Sequence, residues 1–237
     1  MCTVSVVPVN GQWIITSNRD ETVLRSALAP QPYTLNDKTI WFPRDPKAGG
    51  TWFAVSASLA TVVLLNGAEH KHQAGSAYRR SRGLIVLDLL SGVQSVIAEW
   101  DALDLDQIEP FTLVVFELTQ LHQLRWDGVH KSRMDLDANR AHIWSSATLY
   151  SPENRAAREA SFFDFLAQKP EVIPADLLDF HQLNLFDRNK TGLLNKPSGA
   201  LQTISITQLV VHTNKAQLLH IDLPTKNQTV HQINRQP

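Results

Sequence analysis

Cys2 is the only cysteine in the 237-residue chain, and it directly follows the start methionine. A small side chain at that position normally lets aminopeptidase remove Met1, which would leave Cys2 as the first residue. A cysteine thiol titrates near ~8.5 and an α-amine near ~7.7–8.0, so the terminal amine is one of the few backbone groups able to act as a base at neutral pH. Removing Met1 would thus place a nucleophile and its base in one residue, the pairing that covalent catalysis needs. A lone cysteine elsewhere in a chain is ordinarily a small buried hydrophobe; its place beside the start gives this one a chemical reading.

A nucleophile has to be held, and the next residues supply a holder. Thr3 to Val9 and Gln12 to Ser17 are rich in Val, Ile, Trp and Thr, and Asn10-Gly11 between them is a strong signal for a two-residue type I′ hairpin turn. With that loop Val9 faces Gln12, and residue 2 falls opposite Arg19. Directly opposed residues have Cβ atoms roughly 4.5–5.5 Å apart. A guanidinium would then stand beside the thiol, with Asn18 and Asp20 flanking it, favouring thiolate and able to grip a carboxylate or carbonyl. Asn-Arg-Asp-Glu at a strand end is otherwise a solvated turn with a surface ion pair; only its register with Cys2 lifts it.

The opening Met1-Cys2-Thr3, the tetrapeptide Asn18-Arg19-Asp20-Glu21, the segment Gly49-Gly50-Thr51-Trp52 and the triplet Ser81-Arg82-Gly83 occur in that order. Together they resemble the NRDE-motif family, also called the transport-and-Golgi-organisation family. The resemblance spans about the first ninety residues. It implies an α+β fold, a four-layer αββα sandwich of two antiparallel sheets flanked by helices, as in N-terminal-nucleophile hydrolases. It also implies a distant relationship to the cysteine amidases that cut penicillin V and conjugated bile salts.

Carried over position by position, the resemblance makes Cys2 the nucleophile and Arg19 the arginine beside it. Asp20 becomes the aspartate that orients the amine, a role for which Glu21 competes because the spacing differs by about one residue. Asn66, at the end of an apolar strand, resembles the oxyanion-hole asparagine, although Asn66-Gly67 also reads as a plain turn. Asn18, Glu21, Arg82 and Ser146 are the candidates for holding substrate. Ser146 stands where the family commonly has an asparagine, which removes one amide donor. Members of the family have been linked to secretory-pathway organisation, haem movement and lipid or acyl-CoA handling. The resemblance therefore implies either a hydrolase of a small amide or acyl thioester, or a carrier for haem or a lipid or acyl ligand.

The rest of the chain bounds the function. A net charge of −1 with dispersed basic residues offers no field for nucleic acid. No apolar run approaches the ~20 residues of a membrane helix, and the N-terminus reads as a strand rather than a signal peptide, so a cytoplasmic, single-domain protein is expected. There is no GxGxxG or Walker loop, which argues against nucleotide cofactors. His70-Lys71-His72 lacks a third metal ligand at a recognisable spacing, and no metal or cofactor is expected. His122, His212, His220 and His231 fall in strand patterns as half-exposed residues.

The elements needed to position these residues follow in order. The proline-rich stretch Ala27 to Pro46 reads as an irregular excursion with a short strand at Thr39 to Phe42. Thr51 to Ser56 and Thr61 to Leu65 read as strands, the latter wholly apolar. From Ser81, Leu84, Ile85, Leu87 and Leu90 recur at helical spacing, with Ser81 as cap and Gly92 as stop. Val93 to Trp100 suggests a second short helix, and Phe111 to Leu118 with Leu121 to Trp126 a hairpin. Ile143 to Ser146 leads into a helix capped by Ser151 with Pro152 in its first turn, whose phenylalanines near the end are core. Asp176 to Leu185 is a further helix. Leu201 to His212, Gln217 to Leu223 and Thr229 to Ile233 are three antiparallel strands, and the whole order suits two sheets flanked by helices.

Overall fold

The first hairpin forms in the expected register. Strands β1 (Thr3–Val9) and β2 (Gln12–Glu21) are joined at Asn10 and Gly11, both with positive φ, 49° and 76°, as a type I′ turn demands. Val9 lies opposite Gln12 and Val4 opposite Ser17. The computed structural model describes residues 3–73, 75, 77–186 and 201–236, so Cys2 lies outside the described residues.

Around this hairpin the chain builds two antiparallel sheets. The first places β1 and β2 between β10 (His142–Ser145) and β11 (Gln202–Val211), followed by β12 (Lys215–Asp222) and β13 (Gln228–Asn234). The second is a meander of β3 (Leu28–Leu35), β4 (Lys38–Arg44), β5 (Phe53–Ser56), β6 (Thr61–Asn66), β7 (Phe111–Glu117), β8 (Gln120–Trp126) and β9 (Lys131–Leu136). Helix α1 (Arg82–Ser91) packs on β5 and β6, and α2 (Val96–Ala102) on α1. Helices α3 (Pro152–Ala167) and α4 (Pro174–Phe186) cover the first sheet, against β10 and against β2 and β11 respectively. The result is the expected αββα sandwich. No helix among the described residues is long and apolar enough to cross a membrane.

Because successive strand residues face opposite sides, the paired residues Val6 and Ile15 enter the core between the sheets, and their neighbours Val7 and Ile14 enter a second core with Phe162, Leu177 and Phe180 beneath α3 and α4. A sheet covered on both faces needs apolar runs, which β1 and β11 supply. Of the phenylalanines expected in the core, Phe162 is fully buried and Phe165 partly so, whereas Phe163 faces solvent at 42% exposure.

The caps of α1 match the sequence: Ser81 Oγ accepts from the Gly83 amide, and Gly92 ends the helix. Three stretches differ from expectation. Leu28–Leu35 is a strand rather than an excursion, with a register shift against β4 between Leu28 and Gln31, and Pro30 and Pro32 are tolerated because β3 is the sheet edge, where an amide donor is dispensable. The polar β9 was not expected as a strand; it is the opposite edge, mostly exposed, so it carries little hydrophobic signal. Helix α2 begins at Val96 because Ser95 caps it, accepting from the Ala98 amide.

Candidate functional site

Arg19 sits near the end of β2, opposite Ser205 of β11, on the face turned to the second sheet. Only 4% of it is exposed. Its Nη1 donates to the Arg25 carbonyl at 2.6 Å, its guanidinium lies 4.6 Å from the centre of the Trp52 ring, and Nη2 is 3.7 Å from Asp45 Oδ2. Asp45 works in two directions. Its Oδ1 accepts the amides of Lys47 and Ala48 at 3.0 and 3.3 Å, closing the turn after β4. Its Oδ2 lies 2.6 Å from Arg25 Nη2, and Arg25 Nη1 reaches Glu21 at 3.1 Å. Two guanidiniums and two carboxylates therefore interlock across the sheets. Burial lowers the pKa of Arg19, and Asp45, then Glu21, oppose that shift; an arginine stays charged regardless.

The opposite wall is the N-terminus of α1. A Cβ on Gly50 would lie 2.4 Å from the Gly83 carbonyl carbon, so these two backbones touch as only glycines allow, and the Thr51 amide donates to the Gly83 carbonyl at 3.0 Å. That contact turns Arg82 inward: it donates to the Pro110 carbonyl at 2.9 Å and pairs with Glu109 at 2.9 Å, a carboxylate that His72 also meets at 3.1 Å. Burial lowers the Arg82 pKa, against the pull of Glu109. Between the walls is a cavity of about 130 Å³ lined by Arg19, Asp20, Glu21, Asn66, Arg82 and Trp52, among others. Asp20 Oδ1 accepts from Thr203 Oγ1 at 2.5 Å, at a bulge in β11. Five of the eight candidate residues thus share one cleft, together with the Gly50-Thr51-Trp52 and Ser81-Arg82-Gly83 segments.

Two of the remaining three are elsewhere. Asn18 points to the other face of β2, since it precedes Arg19 in the strand. There its Nδ2 donates to the His181 carbonyl at 3.1 Å and its Oδ1 meets His181 Nδ1, so it anchors α4 and does not line the cleft. Ser146 donates to the Asn66 carbonyl at 2.8 Å, fixing the end of β6, but lines a second cavity on the far side of that strand. Cys2 is the third.

Sequence reasoning missed Arg25, Asp45 and Trp52. The Asp45-Pro46-Lys47 turn signal was visible, but not that its carboxylate would serve a strand in the other sheet. It also misjudged His122 and His220, both buried rather than half exposed. His220 lies between the sheets, its Nδ1 2.9 Å from Thr207 Oγ1 and its ring 6.4 Å from that of Trp52. Burial pushes its pKa down to about 4, against Asp222.

The sequence profile of the family described as Transport and Golgi organisation 2 matches residues 1–228. None of the curated proteins matches the chain significantly. Among solved structures, a Caenorhabditis elegans N-acylethanolamine-hydrolyzing acid amidase ortholog superposes with a TM-score of 0.60 at 14% identity, covering 88% of this chain and 92% of its own. Two mutant forms of the conjugated bile acid hydrolase from Clostridium perfringens follow with TM-scores of 0.54 and 0.53 at 10% identity, each covering 99% of this chain and 98% of the other. At such identities the likeness is one of fold: an N-terminal-nucleophile hydrolase-like sandwich over nearly the whole chain.

Proposed function

The chain belongs to the Transport and Golgi organisation 2 family, and from that premise we propose that it is a cysteine N-terminal-nucleophile hydrolase acting on a small amide or acyl thioester. The observation carrying this reading is the cleft that gathers Arg19, Asp20, Glu21, Asn66 and Arg82 at the end of a hairpin of fixed register. Val4 pairs with Ser17 on one side and with Trp144 on the other, so β1 lies between β2 and β10. The structural neighbours, named as an amidase and a conjugated bile acid hydrolase, support the reaction class.

In the proposed reaction the free α-amine of Cys2 takes the thiol proton as sulfur attacks the substrate carbonyl. The new S–C bond yields a tetrahedral oxyanion held by backbone amides and the Asn66 side chain, a type of donor worth ~2.7–4 kcal/mol in the transition state. Collapse breaks the C–N or C–S bond, and the ammonium returns its proton to the leaving group. Water then attacks the acyl-cysteine and releases the acid. Asp20 orients the amine, because Glu21 is engaged by Arg25. Arg19 and Arg82 bind substrate, and Ser146 braces Asn66 through its carbonyl.

A second reading, a non-catalytic carrier for haem or a lipid or acyl ligand, is supported by the internal pairing of the arginines: Arg19, Arg25 and Arg82 all have carboxylate partners. The family name also points to trafficking. One experiment separates the two. Purified active protein must lack Met1 by intact mass, and Cys2→Ala must abolish turnover and any acyl adduct across acyl-amide and acyl-thioester panels while the fold persists. Met1 retained in active protein would exclude the mechanism, because an acylated amine has no basic lone pair. A carrier would bind its ligand equally in both forms.

A further inference from the structure

Among the described residues two arginines are buried to 4% exposure, Arg19 and Arg158. Arg19 has Asp45 as a counter-charge, whereas Arg158 forms no ion pair among the described residues. It projects from α3 onto the first sheet, where its Nη2 donates to Thr3 Oγ1 at 2.7 Å and its guanidinium lies 4.6 Å from the centre of the Tyr150 ring, while Nε and Nη1 have no hydrogen-bond partner. Buried charges are ordinarily paired, because desolvation without a counter-charge is strongly unfavourable. A neutral hydroxyl and one aromatic face compensate it only in part, so the charge calls for a use.

Its place supplies one. Thr3 opens β1, and residue 2 is bonded to it, so bond lengths alone put the α-amine of residue 2 within about 10 Å of Arg158 Nη2 in any conformation. Thr3 and Arg158 are both buried, so salt screens little between them. A fixed cation at that range destabilises an ammonium and stabilises a thiolate. The same charge is felt at His181, where burial first and Arg158 second push the pKa down to about 3.

We propose that Arg158 is a positioning residue for the hydrolysis: it clamps the start of β1 through Thr3 and holds the α-amine of Cys2 in its neutral, proton-accepting form at neutral pH. The role rests on the hydrolase reading. An ordinary α-amine, near ~7.7–8.0, is mostly ammonium at pH 7, and an ammonium cannot take the thiol proton. The other charged or titratable neighbours on the packed elements are Arg19 and Asp20 on β2, Tyr150 ahead of α3, Arg155 and Glu159 on α3, and His181 on α4; β10 sets Ser145 opposite Thr3. Asp20 acts against Arg158 and Arg19 with it. None of them is altered by a substitution at position 158, so the difference between variants isolates that one charge.

Cys2 is the only cysteine, so protein made with 13C-labelled cysteine carries one reporter, its Cα shift following the amine and its Cβ shift the thiol, whether or not any substrate is turned over. Intact mass first establishes that Met1 is gone. In the wild type the amine should titrate about one pH unit lower in the folded protein than in the same protein unfolded in urea. Arg158→Met, which keeps the length of the side chain without its charge, should raise the folded midpoint by about one unit, and Arg158→Lys should keep most of the wild-type value, each with its fold checked by circular dichroism. An arginine of merely structural use would move neither midpoint. Equal midpoints in wild type and Arg158→Met, or in folded and unfolded wild type, would overturn the proposal and leave the hydrolase reading standing; Met1 retained in active protein would overturn both.

Discussion

One carboxylate oxygen of Asp45 faces two guanidinium groups while its other oxygen closes a turn, so a single residue couples the loop after β4 to the end of β2. Asp45→Asn separates the two jobs. The amide oxygen still accepts the Lys47 and Ala48 amides, but Arg19 and Arg25 lose the charge they share. Breaking a buried pair costs ~3–5 kcal/mol, because one charge is left uncompensated. Arg19 is buried, but the Arg25 side chain is 36% exposed and partly screened by water. The expected loss is therefore about 2–4 kcal/mol by urea denaturation; a loss within the ~0–1 kcal/mol of a surface pair would show that the cluster is not sealed. Arg19 also bears on the proposed nucleophile. A cation beside the thiol raises its thiolate fraction, so iodoacetamide should label the native protein faster at pH 7 than it labels Arg19→Ala. Identical pH profiles of labelling would remove Arg19 from the mechanism.

At the scale of elements, the contact of Gly50 with Gly83 sets how close α1 stands to the strand that carries Trp52. A methyl at position 50 would meet only backbone, at 2.4 to 2.7 Å, and backbone cannot swing aside as a side chain does. Gly50→Ala should cost about 1–3 kcal/mol or more through overpacking and shift α1 away from the cleft, so Arg82 should lose protection along with stability. Hydrogen exchange at the Thr51 amide, which bonds to the Gly83 carbonyl, reports this directly; unchanged protection would mean that the helix is not held there. Two other glycines, Gly11 and Gly92, show what the sequence made legible. The Asn10-Gly11 turn and the Ser81 and Gly92 caps are local signals, each needing only a few neighbouring residues, and each formed as expected. The proline-bearing β3 and the polar β9 were illegible because edge strands are excused the rules by which strands are recognised. Asn18 seemed a site residue because it stands beside Arg19 in the sequence, yet alternation turns it to His181, a partner 163 residues away. No local pattern announces a bond of that span, nor the meeting of Arg19 with Asp45.

At the scale of the whole molecule, each face of the first sheet encloses a buried histidine. His181 lies between the first sheet and α4, where Ser5 Oγ is 2.8 Å from its Nε2. His220 lies between the two sheets beside Thr207. Burial, reinforced by Arg158, drives the His181 pKa down to about 3, and burial, against Asp222, drives that of His220 to about 4. Both fall below the ~6.5 of an unfolded chain. Between the folded and unfolded values the unfolded state binds the extra proton, so stability increases with pH. The contribution is complete above about pH 6.5 and is lost as the pH falls toward each folded pKa, with a slope of up to ~1.4 kcal/mol per pH unit for each histidine. The interval from about pH 6.5 to 5 is the cleanest in which to see it, because carboxylates titrate mostly lower. Urea midpoints across that interval should fall in the wild type, with the slope reduced by up to one proton in His220→Gln and, separately, in His181→Gln. Each variant sacrifices a hydrogen bond and will be less stable at every pH, but only the slope carries the proton count. If both variants keep the wild-type slope, the histidines are not the groups that make the sandwich acid-sensitive.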